Sequence, residues 1–182
     1  ALLAADRLLR RDVVRLTILG VPESVRDRAA DLGLDLAAAD ILDPHTDARR
    51  PEFADVIHDI RRAKGMSAQT AFDLAGDASW FGTLMVQTGA ADGMVSGAAH
   101  TTADTVRPAL QIIRTAPGTS VVSSVFLMAL ADRVHVYGDC AVVPDPTADQ
   151  LADIAVSSAD TARAFGIEPF VAMLSYATGG SG

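Results

Sequence analysis

The chain is short of cysteine, of aromatic residues and of positive charge, and each shortage narrows what it can be. Cys140 is the single thiol in 182 residues, so no intramolecular disulfide can form, and this usage fits a reducing cytosol. Aromatic residues make up 5% of the chain and apolar residues 49%, so the core must be built from Ala, Val, Leu and Ile. Acids outnumber bases to give a formal net charge of −8. Nucleic-acid binders show the opposite balance or a basic stripe, so no nucleic-acid partner is expected. No uninterrupted apolar run approaches the roughly 18–20 residues of a membrane span, so no membrane partner is expected and the expected location is cytoplasmic. Residues 1–11, ALLAADRLLRR, have the mixed pattern of an amphipathic helix and lack the apolar stretch of a signal peptide.

Several chemical signatures are missing as well. No G-x-x-x-x-G-K-[ST] occurs, so the terminal Gly179-Gly180-Ser181-Gly182 is no P-loop. No G-x-G-x-x-G joins a strand to a helix, which argues against a nicotinamide cofactor. Gly93-Met94-Val95-Ser96-Gly97 departs from the G-x-S-x-G nucleophile elbow, which argues against a Ser-His-Asp hydrolase. His100 and Asp104 stand one helical turn apart, but His45, His58 and His135 are scattered and offer no third ligand, so no metal site is expected. Cys140, beside Asp139 in an acidic loop, is expected to be structural.

What is present alternates helical and strand patterns. Helices are predicted over 2–11, from Pro22 to near Gly33, from Pro51 to Gly65, from Ser67 to about Thr88, after Thr101, and from Thr147 or Asp149 to Phe165. Strands are predicted at Val13–Leu19, Met94–Val95, within Val121–Leu130, at Arg133–Tyr137 and at Phe170–Tyr176. The alternation implies an α/β fold: a three-layer α/β/α arrangement with a mostly parallel sheet, in two subdomains with a cleft between them. Pro117-Gly118 suggests a boundary between an incomplete first domain (1–118) and the start of a second (119–182). A helical pattern already under way at residue 1, and a glycine-rich YATGGSG directly after a predicted strand, are expected to mark cuts through a larger protein.

The most informative stretch is DGMVSGAAHTTADTVRPALQIIRT, residues 92–115. A strand opening through Ser96-Gly97-Ala98-Ala99 onto a helix places unpaired N–H groups and a helix dipole where an anion can bind. Ser96, Thr101 and Thr102 add neutral donors, and Arg107 adds a planar fork suited to phosphate or carboxylate. The plainer reading is a small-residue turn followed by a surface arginine, and composition alone leaves the two level. Arg61, Arg62 and Lys64 complement the dipole at a helix C-terminus, unless that helix end faces the same cleft as Arg107.

Four stretches together resemble the catalytic domain of the phosphate acetyltransferase (phosphotransacetylase) family. They are RRAKGMS (61–67), SWFGTLMVQTGAADGMVSGAAHTTADTVRPALQIIRTAPG (79–118), SSVFLMALADRVHVYGDCAVVPDPTADQLADIAVSSADTARAFGIEP (123–169) and VAMLSYATGGSG (171–182). The related phosphate butyryltransferases lack a segment like YGDCAVVPDPTADQLADIA, which favours the acetyl enzyme. The resemblance implies reversible acetyl transfer between coenzyme A and inorganic phosphate: acetyl-CoA plus phosphate gives acetyl phosphate plus CoA. It implies a homodimer with no permanently bound cofactor, coenzyme A being a substrate.

The same resemblance puts the two catalytic arginines at Arg61 and Arg107. Substrate binding falls to Ser96, Gly97, His100, Thr101 and Thr102, with Ser175, Tyr176 and Thr178 on a loop bordering the cleft. The family's serine–arginine pair, and the aspartate proposed to deprotonate the CoA thiol, belong to a segment expected after residue 182. A first strand is expected before residue 1. The 182 residues alone are therefore expected to have little acetyltransferase activity. The alternative reading is a non-catalytic, acyl-CoA-sensing domain of the same fold within a larger enzyme.

Overall fold

Two compact units divide the chain, Ala1–Arg114 and a second beginning at Thr115. The computed structural model describes residues 1–174. Helices and short strands alternate, and the fold is α/β. In the first unit α1 (Leu2–Arg10), β1 (Thr17–Leu19), α2 (Pro22–Asp31) and β2 (Asp40–Leu42) come first. β1 and β2 pair in parallel with Thr17 opposite Asp40 and Leu19 opposite Leu42. Ala5, Ala29 and Leu36 form a small core there, flanked by Leu9, Ile18 and Val25. Asp6 is buried beside it and accepts hydrogen bonds from Arg10 Nε (2.9 Å) and the Asp35 N–H (3.0 Å). The Arg10 bond, followed by the backbone bond, holds this carboxyl below its ordinary range.

The strand expected at Val13–Leu19 is thus only its last three residues, and Val13 and Val14 are exposed. β2 carries no strand signal in the sequence. Three residues bounded by Asp40 and Asp43-Pro44 become a strand only by pairing with β1, a partner the local pattern does not reveal.

The main core of the first unit lies among α3 (Arg50–Arg61), α4 (Ala68–Leu74), α5 (Ala78–Gln87) and α6 (Thr102–Ile112). Pro51 sits in the first turn of α3, where its missing N–H leaves no helical bond unmade. Phe53 of α3 meets Phe81 of α5 edge-on, with ring centroids 4.8 Å apart. The single helix expected from Ser67 to Thr88 is in fact two. Asp77 accepts the N–H groups of Ser79 (2.9 Å) and Trp80 (3.1 Å), which starts a new helix at Ala78. Gly76 precedes it because a Cβ there would lie 2.8 Å from His45 Nδ1 and 3.0 Å from Arg50 Nη2. Arg50 is pinned in turn by hydrogen bonds to the carbonyls of His45 and Phe72 and by stacking on the Phe72 ring.

Met94 and Val95 do not form the expected strand, and among the described residues they pair with none. Met94 instead lays its sulfur against Gly82 of α5, a spot that any Cβ on residue 82 would fill, while Val95 is fully exposed. Among the described residues this segment is held by the packing of Met94 and by no ladder of hydrogen bonds.

In the second unit β3 (Val125–Ala129) and β4 (Val134–Gly138) form an antiparallel hairpin with Val125 opposite Gly138. α7 (Ala148–Ala164) begins with a capping box: Thr147 Oγ1 accepts the Gln150 N–H, and Gln150 Oε1 accepts the Thr147 N–H. α7 sits close to the end of β4, where a Cβ on Gly138 would come within 2.6 Å of Ser158 Oγ. The strand expected at Phe170–Tyr176 is absent over 170–174, which is irregular, and its last two residues lie outside the described residues.

The loop after β4 is organised by one carboxylate. Asp139 accepts the Ser124 hydroxyl and the N–H groups of Ser124 (2.8 Å), Val142 (3.1 Å) and Val143. Desolvation pushes the Asp139 pKa up, but these donors, led by the Ser124 hydroxyl, outweigh it and hold the group down to about 2 from 3.8. A carboxyl whose folded pKa is depressed stabilises the fold fully above its unfolded pKa and loses that contribution as the pH falls through its folded one. Asp139→Asn is therefore expected to be less stable than the parent above about pH 4, with the gap closing as the pH falls from 3.8 toward 2. Denaturant unfolding of both proteins across that window checks it. A gap independent of pH would contradict the charged role.

Candidate functional site

The start of α6 is built by a hydroxyl and a carboxylate acting on each other. Thr101 Oγ1 accepts the Asp104 N–H at 3.2 Å and donates to Asp104 Oδ2 at 2.7 Å. The exposed Thr101 thus serves as N-cap, and its hydroxyl is engaged with Asp104. The N–H groups of a helix's first turn have no intrahelical acceptor, and here the acceptor for one of them is that hydroxyl. Arg107 follows one turn later, with Nη1 3.7 Å from Asp104 Oδ1 and its side chain 57% exposed. Among the described residues its guanidinium makes no hydrogen bond, so a fork of N–H donors faces solvent.

His100, Asp104 and Arg107 line one wall of an open groove of about 480 Å³. The other wall comes from α4 and the start of α5, with Thr70, Asp73, Asp77 and Trp80. The groove is not a simple cationic pocket, since three carboxylates (Asp73, Asp77 and Asp104) stand with Arg107. Two have other duties: Asp73 Oδ1 accepts from Gln69 Nε2 at 2.9 Å, and Asp77 caps α5.

Ser96 and Gly97 are exposed in irregular chain. Gly97 has φ +109°, a conformation that favours glycine, and a Cβ on it would lie 3.8 Å from Thr105 Oγ1. The small-residue turn therefore lies beside the first turns of α6. Thr102 is the first residue of that helix and is exposed.

Arg61 closes α3 and is followed by a 3₁₀ turn, Arg62–Lys64, and by Gly65 at φ +83°. Its Nε is shut off from solvent and has no hydrogen-bond acceptor among the described residues. Arg61 is half-buried, whereas Arg62 is exposed and lies 3.8 Å from Asp59. Arg61 does not line the groove that holds Arg107. Ser175, Tyr176 and Thr178 lie outside the described residues. No cluster of His, Cys, Asp or Glu suited to a metal ion occurs among the described residues, and no described helix is long and apolar enough to cross a membrane.

Arg107 and His100, both singled out in the sequence, line the groove together, but the sequence pattern did not point to the opposite wall. Asp77 and Trp80 were hidden inside a helix read as continuous, although Gly76-Asp77 is a readable stop and N-cap. Asp73 and Thr70 carried no local signal at all.

The candidate site is thus an exposed arginine fork and a glycine turn beside the start of α6 in an α/β fold. The full length, residues 1–182, matches the family model described as phosphate acetyl/butaryl transferase, and the chain belongs to that family. It is 54% identical over 98% of its length to a phosphate acetyltransferase of Nitratidesulfovibrio vulgaris, covering 25% of that protein. It is 53% identical over its whole length to one of Corynebacterium glutamicum, covering 55% of it. A solved phosphotransacetylase from Streptococcus pyogenes superposes with a TM-score of 0.89 at 44% identity, over 98% of this chain and 55% of that one. The chain thus spans between a quarter and about half of the length of these relatives.

The two neighbouring arginines 61 and 62 are separable by experiment. Arg61→Met is expected to weaken inorganic phosphate binding by the full-length protein about tenfold or more, as loss of a charge-assisted hydrogen bond does. Arg62→Ala is expected to leave it within twofold. Isothermal calorimetry with phosphate distinguishes them, and equal losses would mean that the shielded Nε plays no part.

Proposed function

We propose that the protein to which these residues belong transfers an acetyl group reversibly between coenzyme A and inorganic phosphate. The observation that carries this reading is the match of the whole chain to the family, joined to an open arginine fork on α6, whose start lies beside the Gly97 turn. In the direction of acetyl-CoA synthesis the thiolate sulfur of CoA attacks the carbonyl carbon of acetyl phosphate. A carbon–sulfur bond forms, the carbon–oxygen bond to phosphorus breaks, and phosphate leaves with the bonding electron pair. The thiol proton passes to a base, a role assigned to none of the groove's residues.

Arg107 holds the phosphoryl oxygens and stabilises the charge that gathers on them as phosphate leaves, while Arg61, outside the lining of the groove, is assigned to the substrate on the family resemblance alone. The Ser96-Gly97 turn and the exposed Thr102 border the same group, and His100 stands at the mouth of the groove. Ser175, Tyr176 and Thr178 are assigned to a loop bordering the cleft on the strength of the family resemblance. Holding both reactants in line supplies much of the remaining acceleration. CoA acts as a substrate, the location is cytoplasmic, and the working form is a homodimer.

The test uses the full-length protein and follows CoA-dependent loss of acetyl phosphate. Arg107→Ala is expected to lower kcat/KM by about 10²–10³-fold, as losing an oxyanion donor does. Near-parental turnover with an unchanged acetyl phosphate KM would overturn the assignment. Binding of acetyl-CoA by the full-length protein without any turnover would identify a sensing domain in place of an enzyme.

A further inference from the structure

We propose that Asp104 is a positioning residue for Arg107: it holds one corner of the guanidinium and leaves the rest of the fork open toward the groove. This rests on the reading of Arg107 as the phosphate-holding arginine.

The geometry is a short relay along the first two turns of α6. Asp104 is fixed from both sides of its own residue, its N–H bound to Thr101 Oγ1 at 3.2 Å and its Oδ2 receiving the Thr101 hydroxyl at 2.7 Å. With Oδ2 held, Oδ1 is left to face Arg107 Nη1 at 3.7 Å. That separation allows attraction without a bidentate lock, so Arg107 is steered and its donors stay unoccupied. Asp104 and Arg107 both line the groove, and His100 is the other basic side chain among its lining residues.

A purely structural account fits less well. Exposed pairs of this spacing on a helix add little to stability, and both side chains are about half exposed. The cap on α6 is made by the Thr101 oxygen, so the helix start does not need the second carboxylate oxygen. A long arginine side chain in solvent samples many rotamers, and fixing one of them before the anion arrives is where a nearby carboxylate helps. Asp73 and Asp77 face the same groove, but they are held by Gln69 and by the N-terminus of α5.

The test is a double-mutant cycle in the full-length enzyme, read as kcat/KM for acetyl phosphate. Asp104→Asn keeps an acceptor for the Thr101 hydroxyl but removes the charge facing Arg107. It is expected to lose about tenfold in kcat/KM with an unchanged melting temperature, since small misplacements of a reacting partner cost on that order. In an Arg107→Ala background the same substitution is expected to have no further effect, because its partner is gone. Independent, multiplicative losses would overturn the proposal, as would a gain in phosphate affinity, which would make Asp104 a competitor. If Asp104→Asn lowers the melting temperature, Asp104→Glu serves as the second variant; recovery of most of the activity is expected, and none would overturn it. Should Arg107→Ala itself turn over normally, the reading of Arg107 fails first and the inference with it, an outcome distinct from additivity.

Discussion

The first unit depends on burying α5 on every side. From Ser79 to Met85 each of its residues is buried, which is unusual for a ten-residue helix and leaves it no solvent face. α3 and α6 both pack on it. Of its buried hydroxyls, Thr83 donates to the Ser79 carbonyl at 2.7 Å, whereas Ser79 Oγ has no partner among the described residues. Charge is kept at the rim: Arg49 lies 5.4 Å from the Phe81 ring centroid and is paired with Asp47 at 2.8 Å. The groove inherits its shape from this. α6 brings Arg107 because it packs on α5, and Asp77 is on the opposite wall because α5 has to begin there. A continuous helix from Ser67 to Thr88 would have placed Asp77 in mid-helix and removed that wall.

Elements bounded by strong local chemistry were legible in the sequence. Pro22 and Pro51 start helices, Thr101 and Thr147 cap them, and Gly33 and Gly65 take the positive φ beyond helix ends. Each such signal is complete within a few residues. Strands were less legible for the opposite reason. Whether Asp40–Leu42 or Met94–Val95 is a strand depends on what lies alongside, and only the first has a partner among the described residues. The apolar character of Met94 was read correctly, but it is satisfied by a glycine-sized gap on α5.

The site divides along the same line. Arg107 and His100 sit within eight residues of each other and share a helix start, so their association could be read directly. Asp73, Asp77 and Trp80 join them only through packing, which no periodicity in one segment reports. Arg61 came from its motif alone, and the reason to separate it from Arg62 emerged only when one was found shielded and the other paired with Asp59.

Under the proposed function the two arginines meet an anion in different ways. With a net charge of −8 over these residues and three carboxylates on the groove, the groove itself offers an anion no broad positive field. Recognition has to be directional, made by N–H groups aimed at oxygen positions. Arg61 Nε is shut off from solvent with no acceptor among the described residues, and such a donor costs about 1–3 kcal/mol, a penalty that an arriving acceptor relieves. Arg107 stays solvated and is steered by a carboxylate that does not close over it. The first arrangement favours the bound state by making the empty one worse. The second favours it by reducing the freedom lost on binding, and the same acids that make the groove electronegative provide the means.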